Sequence, residues 1–168
     1  SGTEVGRGEL VSLRVTTPGF TDRYLRHQDS LARTDVANSD QVRLDGTFWA
    51  RPGLANSSCL SFESRNFPGQ YLRHLSSRIR IDTNDGSAAF GGNATFCARS
   101  GLGATALESF DTPGSFIRHF NENVYLARSG GPNPWDTGNS FAADTTWAVG
   151  VALWRSGAVP SMAMFPAR

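Results

Sequence analysis

Lysine is absent from this 168-residue chain: all sixteen basic residues are arginine. They are scattered among fifteen acids and leave a net charge of +1, so no basic stripe is offered to nucleic acid or to an anionic membrane surface. No apolar run approaches the roughly 20 residues that cross a bilayer. Nothing near the opening Ser1-Gly2-Thr3 reads as a signal peptide. Glycine-rich phosphate loops, nucleophile motifs and zinc signatures are missing as well. No stretch longer than about ten residues carries a capped helical stripe, which excludes a helical architecture. Histidine is scarce, and its scarcity is informative.

The three histidines sit in Tyr24-Leu25-Arg26-His27, Tyr71-Leu72-Arg73-His74 and Phe116-Ile117-Arg118-His119, at steps of 47 and 45 residues. Each follows a Pro-Gly pair: Pro18-Gly19, Pro68-Gly69 and Pro113-Gly114. An apolar residue leads into each pair, namely Leu13, Phe62 and Leu107. Downstream come Asp45-Gly46-Thr47-Phe48, Asn93-Ala94-Thr95-Phe96 and Asp144-Thr145-Thr146-Trp147, and then Leu54, Leu102 and Leu153. A period of a few tens of residues implies one supersecondary unit packed against its own copies.

Short alternating runs, such as Ser12–Thr16 and Arg78–Asp82, read as strands. Short strands leave exposed edges unless the sheet closes on itself. Three copies of about four strands each predict an all-β chain, a β-trefoil barrel with a hairpin cap. Residues 1–9 read as a linker or tag remnant, 10–155 as the trefoil in repeats of about 10–55, 56–103 and 104–155, and 156–168 as a tail, whose Met162–Phe165 offers an edge contact. Cys59 and Cys97 bracket the second repeat, 38 residues apart, without cysteine-histidine metal spacing. Two readings stand: buried free thiols, or a disulfide contributing about 3–4 kcal/mol by chain entropy, which would put the chain outside the cytosol.

Alternation places leucine and histidine on one face of each Tyr-Leu-Arg-His strand and tyrosine and arginine on the other. A carboxylate or amide follows each histidine by 18 to 25 residues: Asp45, Asn93 and Asp144. Neutral imidazole beside a carboxylate offers acceptors and an N–H donor to vicinal hydroxyls. A repeated structural hydrogen bond would also place a histidine in every copy, and that alternative stays open.

Ser61-Phe62-Glu63-Ser64, Asn66 to His74, Asp85-Gly86-Ser87 with Phe90, and Asn93-Ala94-Thr95-Phe96 together resemble the C-terminal domain of arabinofuranosidase B, the arabinofuranose-binding carbohydrate-binding modules of family 42. The resemblance spans the repeat region. It implies a β-trefoil with up to three pockets for arabinofuranosyl side chains of arabinoxylan or arabinan. It also implies a disulfide in the second repeat, matched by Cys59 and Cys97. Carried over, the sugar-gripping pairs are His27 with Asp45, His74 with Asn93, and His119 with Asp144. Leu75 and Phe120, after the second and third histidines, are candidates to cover a sugar's C–H face. The loop from Ser129 to Trp135 is a candidate wall of the third pocket.

Departures from the family pattern rank the pockets. Asn93 replaces an acid, removing charge-assisted hydrogen bonds. The first repeat carries an insertion around Phe20-Thr21-Asp22 and has Gln28 after its histidine. Ala127 stands where the other copies have Asp35 and Asp82, which assigns those aspartates to turns. The expected order is repeat three, then two, then one. A glycosidase needs two carboxyl groups about 5–10 Å apart, whereas the acids here, including Asp82, Asp85 and Asp111, read as turn residues, and Glu63 and Glu108 as structural strand residues. The expectation is a secreted, monomeric, cofactor-free binding module and not an enzyme. Its partners would be arabinose-decorated plant cell-wall polysaccharide and a linked glycoside hydrolase, an α-L-arabinofuranosidase or other hemicellulase, with no nucleic acid or membrane. Alternatives are a trefoil lectin for another sugar such as galactose, or a protein-binding or inhibitor trefoil.

Overall fold

A computed structural model describes residues 8–101 and 104–154. Leu102 and the Met162–Phe165 stretch lie outside the described residues, as does most of the lead-in. Its Glu9, however, opens the first strand, one residue earlier than the expected domain start.

The first repeat comprises β1 (Glu9–Val15), β2 (Arg23–Gln28), β3 (Leu31–Val36), α1 (Asp40–Asp45) and β4 (Phe48–Pro52). The second comprises β5 (Leu60–Ser64), β6 (Gln70–Leu75), β7 (Arg78–Thr83), α2 (Ala88–Asn93) and β8 (Phe96–Ser100). The third comprises β9 (Thr105–Ser109), β10 (Phe116–Phe120), β11 (Asn123–Ala127), a 3₁₀ turn at Pro134–Asp136, α3 (Phe141–Asp144) and β12 (Thr146–Val151). Pairings β1–β4, β4–β5, β5–β8, β8–β9, β9–β12 and β12–β1 are all antiparallel and close a six-stranded barrel. The hairpins β2–β3, β6–β7 and β10–β11 cap one end, where β3, β7 and β11 pair with each other. This is the expected β-trefoil, with no open edge in the barrel.

Local chemistry explains why the copies fold alike. Each Pro-Gly forms a tight turn with glycine at φ +90, +87 or +91°, which only glycine adopts without strain. The cap hairpins turn on Asp29-Ser30, Ser76-Ser77 and Asn121-Glu122, both central residues at positive φ, matching the right-handed strand twist. The second carbonyl of each turn accepts from a neighbouring repeat: Ser30 from Ile81 N–H at 2.9 Å, Ser77 from Leu126 N–H at 2.8 Å, and Glu122 from Thr34 N–H at 2.9 Å. The core is built from barrel residues Leu13, Phe48, Phe62, Phe96, Leu107 and Trp147 and from hairpin residues Leu25, Leu72 and Ile117, all fully buried.

Cys59 and Cys97 form a disulfide with Cα atoms 4.5 Å apart, beside the Leu60–Phe96 pairing of β5 with β8. Asp35 and Asp82 depart from expectation. They lie within β3 and β7, not in turns, and brace strand arginines: Arg26 and Arg33 bond Asp35, and Arg73 and Arg80 bond Asp82. Glu63 and Glu108 are structural as expected, each accepting at 2.8 Å from the glycine N–H of its Pro-Gly turn.

Candidate functional site

Asp45, Asn93 and Asp144 are the last residues of the three short helices. The threonines just beyond fix those ends: Thr47, Thr95 and Thr146 each donate to a helix carbonyl four residues back, at 2.7 Å. From the hairpin, the motif arginine reaches across to the helix-end side chain: Arg26 to Asp45 at 2.7 Å, Arg73 to Asn93 at 2.8 Å and Arg118 to Asp144 at 2.8 Å. The histidine stands beside it. A third member comes from the following repeat, four residues after the apolar strand residue: Asn66, Asp111 and, closing the circle, Thr17. Every site therefore straddles a repeat boundary.

In the first repeat the site is closed. His27 is 1 % exposed and Asp45 0 %. Asn66 fills the space between them, with Oδ1 2.9 Å from His27 Nε2 and Nδ2 donating to Asp45 Oδ1 at 2.8 Å. The Phe67 ring packs edge-on against His27, centroids 4.9 Å apart. A sugar hydroxyl does not reach His27 or Asp45 in this arrangement, so the expected contact there gives way to a structural polar cluster.

In the second repeat the missing acid is restored from elsewhere. Asp111 Oδ1 lies 2.6 Å from His74 Nε2, and its Oδ2 accepts from Asn93 Nδ2 at 2.8 Å. Burial opposes ionisation of Asp111, but hydrogen bonds from His74, Asn93 and Ser109 together hold its carboxyl below the usual range. Asp111 is thus more than a turn residue. The sequence signal for it was its spacing from Leu107, which equals that of Asn66 from Phe62. Leu75, the last residue of β6, stands exposed.

The third repeat opens into a cleft of about 820 Å³. The Thr17 hydroxyl donates to Asp144 Oδ1 at 2.7 Å and lies 2.9 Å from His119 Nε2, so the imidazole presents its N–H to that hydroxyl. Asp144 Oδ2 accepts from Arg118 and from Ser140 Oγ, each at 2.8 Å. Burial pushes the His119 imidazole below its ordinary value; Asp144 opposes this, while Arg118 and Arg23 reinforce it. The ring is therefore neutral at pH 7. Phe120 lines the cleft as expected, and so do Pro18, Phe20 and Arg23. The insertion attributed to the first repeat thus walls the third repeat's site. The Ser129–Trp135 stretch does not line the cleft directly; Thr137, Gly138 and Ser140 do. Arg118 Nη1 holds that loop through the carbonyls of Trp135 at 2.7 Å and Thr137 at 2.5 Å. These carbonyls replace the strand acid that Ala127 lacks. Among the described residues no His, Cys, Asp or Glu cluster is arranged to hold a metal ion.

The profile of the alpha-L-arabinofuranosidase B domain matches residues 13–149. The chain belongs to this family. A probable alpha-L-arabinofuranosidase B of Aspergillus clavatus is 36 % identical over 154 residues, covering 89 % of this chain and 30 % of the relative. An alpha-L-arabinofuranosidase of Hypocrea jecorina is 35 % identical over the same share of this chain and 31 % of its own length. A solved GH54 α-L-arabinofuranosidase soaked with a cyclic sulfate inhibitor superimposes with a TM-score of 0.88 at 38 % identity, over 92 % of this chain and 33 % of that one. An arabinofuranosidase complexed with arabinofuranosyl-alpha-1,2-xylobiose gives 0.87 at 38 % identity, over 91 % and 33 %. The chain spans about a third of the length of these relatives, and the part that matches the family is the arabinofuranosidase B domain.

Proposed function

We propose that this arabinofuranosidase B domain is a carbohydrate-binding module that holds terminal arabinofuranosyl side chains of plant arabinoxylan or arabinan. It would keep a linked α-L-arabinofuranosidase or other hemicellulase against that polymer outside the cell. The observation that carries this reading is the third-repeat cleft, where an imidazole, a carboxylate and a hydroxyl converge and which Phe20 and Phe120 also line. Convergent donors and acceptors beside apolar rings suit a furanose, which offers hydroxyls to the polar groups and C–H groups to the rings. The disulfide supports an oxidising compartment.

A single shallow pocket for one pentose corresponds to a Kd of about 0.1–10 mM, roughly −3 to −6 kcal/mol. Further sites on the same rigid trefoil would add avidity on a branched polymer through effective concentration. Isothermal titration with arabinoxylan oligosaccharides bearing terminal arabinofuranose tests the reading, using the wild type, Asp144→Asn and Asp144→Ala. Saturable heat in the wild type, with the third-repeat cleft's share of it lost in both variants while they stay folded, is the expected result. No heat with arabinofuranosides, but saturation with galactosides or another glycan, would overturn the assignment of the sugar.

A further inference from the structure

The first and second repeats carry the same polar side chains with acid and amide exchanged. In the first, the acid is on the helix end (Asp45) and the amide on the next repeat's turn (Asn66); in the second, the amide is on the helix end (Asn93) and the acid on the turn (Asp111). Arginine and histidine keep their places in both. We propose that Asp111, supplied by the third repeat, is the anionic sugar acceptor of the second-repeat site, so that this site is open and competent although its helix-end residue is an amide. This rests on the sugar-binding reading above.

Three observations carry it. His74 and Asp111 are 15 % and 29 % exposed in their side chains, whereas His27 and Asp45 are sealed. The residue after the turn member decides this: Phe67 lies on His27, while its counterpart Thr112 is exposed and leaves His74 uncovered. Finally, Gly92 makes room for the relocated acid. A Cβ there would come within 3.2 Å of Asp111 Cβ and 3.3 Å of its Oδ2, and the corresponding first-repeat position holds Leu44. Asp111 Oδ2 takes one protein hydrogen bond, from Asn93. A carboxylate oxygen accepts two, which leaves capacity for a sugar hydroxyl.

The test is a ¹H–¹⁵N titration of the whole chain with methyl α-L-arabinofuranoside, following the amides of Gly92 and Thr112 for this site and of Thr17 and Gly138 for the third-repeat cleft. Wild type should show both sets shifting. Asp111→Asn should weaken the second-repeat site by about tenfold, the loss of a charge-assisted contact, and leave the cleft unchanged. The double exchange Asn93→Asp/Asp111→Asn returns the carboxylate to the helix end, as in the first repeat, and should recover binding. Wild-type affinity at Gly92 and Thr112 in Asp111→Asn would overturn the proposal. So would no recovery in the exchange, which would make Asp111 a structural tie between repeats. Silence at the second-repeat site in wild type, with the cleft titrating, would overturn it as well. Silence at both sites would instead refute the sugar reading on which it rests.

Discussion

Replacing Asp45 by alanine should be costly to the fold and neutral to sugar binding. Asp45 is wholly buried and accepts from Arg26 at 2.7 Å, Asn66 at 2.8 Å and Gln41 at 3.0 Å. Breaking a buried ion pair by removing one partner costs about 3–5 kcal/mol, because the remaining charge is left without compensation. Arg26 retains one partner, since its Nη1 still reaches Asp35 at 2.8 Å. That places the expected loss near the lower end, about 3–4 kcal/mol including the stranded amides. For a chain of this length it corresponds to a fall in Tm of about 10 °C.

The control is the equivalent change at Asn93. That side chain is neutral and only partly buried, with one bond from Arg73 and one to Asp111, so Asn93→Ala should cost about 1 kcal/mol. Urea unfolding of both variants, followed by tryptophan fluorescence, measures the gap directly. Titration with an arabinofuranosyl oligosaccharide at a temperature where Asp45→Ala is folded should return the wild-type affinity of the third-repeat cleft. Equal costs at Asp45 and Asn93, or a folded Asp45→Ala that no longer binds sugar, would refute the closed-site reasoning.

Two further outcomes follow. Phe67→Thr, which copies the second repeat, should cost about 2 kcal/mol, roughly half a full aromatic truncation because the ring is half-buried; it should also uncover His27, so that arabinofuranoside-dependent shifts appear at the Gly46 amide, and an intact fold without them would count against the ring as the plug. His119 is held below its unfolded value, so its contribution is complete above about pH 6.5 and is lost as pH falls from there through the folded value, the unfolded chain binding the proton first; stability measured between pH 7.5 and 5 should fall less steeply in His119→Gln than in wild type, and identical slopes would refute the assignment.

The threefold plan was legible because a repeat leaves three copies of the same evidence. The Pro-Gly pairs marked turns that only glycine can complete, whereas strand alternation, which set arginine on the face opposite histidine, missed that both side chains reach the same helix-end carboxylate in the first and third repeats. Equivalent positions, however, did not mean equivalent exposure. His27 and His119 share a motif slot, yet the ring of Phe67, forty residues away in sequence, decides that one is sealed. Asp111 was discounted because a Thr-Pro-Gly turn follows it, although a side chain on a turn can point inward across a repeat boundary. The aspartates at 35 and 82 failed for a related reason. Their absence in the third repeat reflected a loop whose Trp135 and Thr137 carbonyls do the same work for Arg118. Backbone acceptors leave no trace in a residue pattern.

The straddling of repeat boundaries also ties binding to closure of the fold. In the third-repeat cleft, Thr17 lies at the end of the first barrel strand, while Asp144 leads into the last one. The two are 127 residues apart in sequence and bonded at 2.7 Å. The same two strands, β1 and β12, close the barrel through five paired positions from Val11–Val151 to Val15–Trp147. Parting them would dismantle the cleft, because its hydroxyl and its carboxylate would leave with different strands. A sugar that bridges Thr17 and Asp144 therefore binds only the closed barrel. By mass action, ligand at ten times Kd would stabilise that closure by about 1.4 kcal/mol. Such protection belongs to the amides along β1 and β12, and it sets this cleft apart from the second-repeat site, whose members come from the adjoining repeats two and three and leave the chain's own seam untouched.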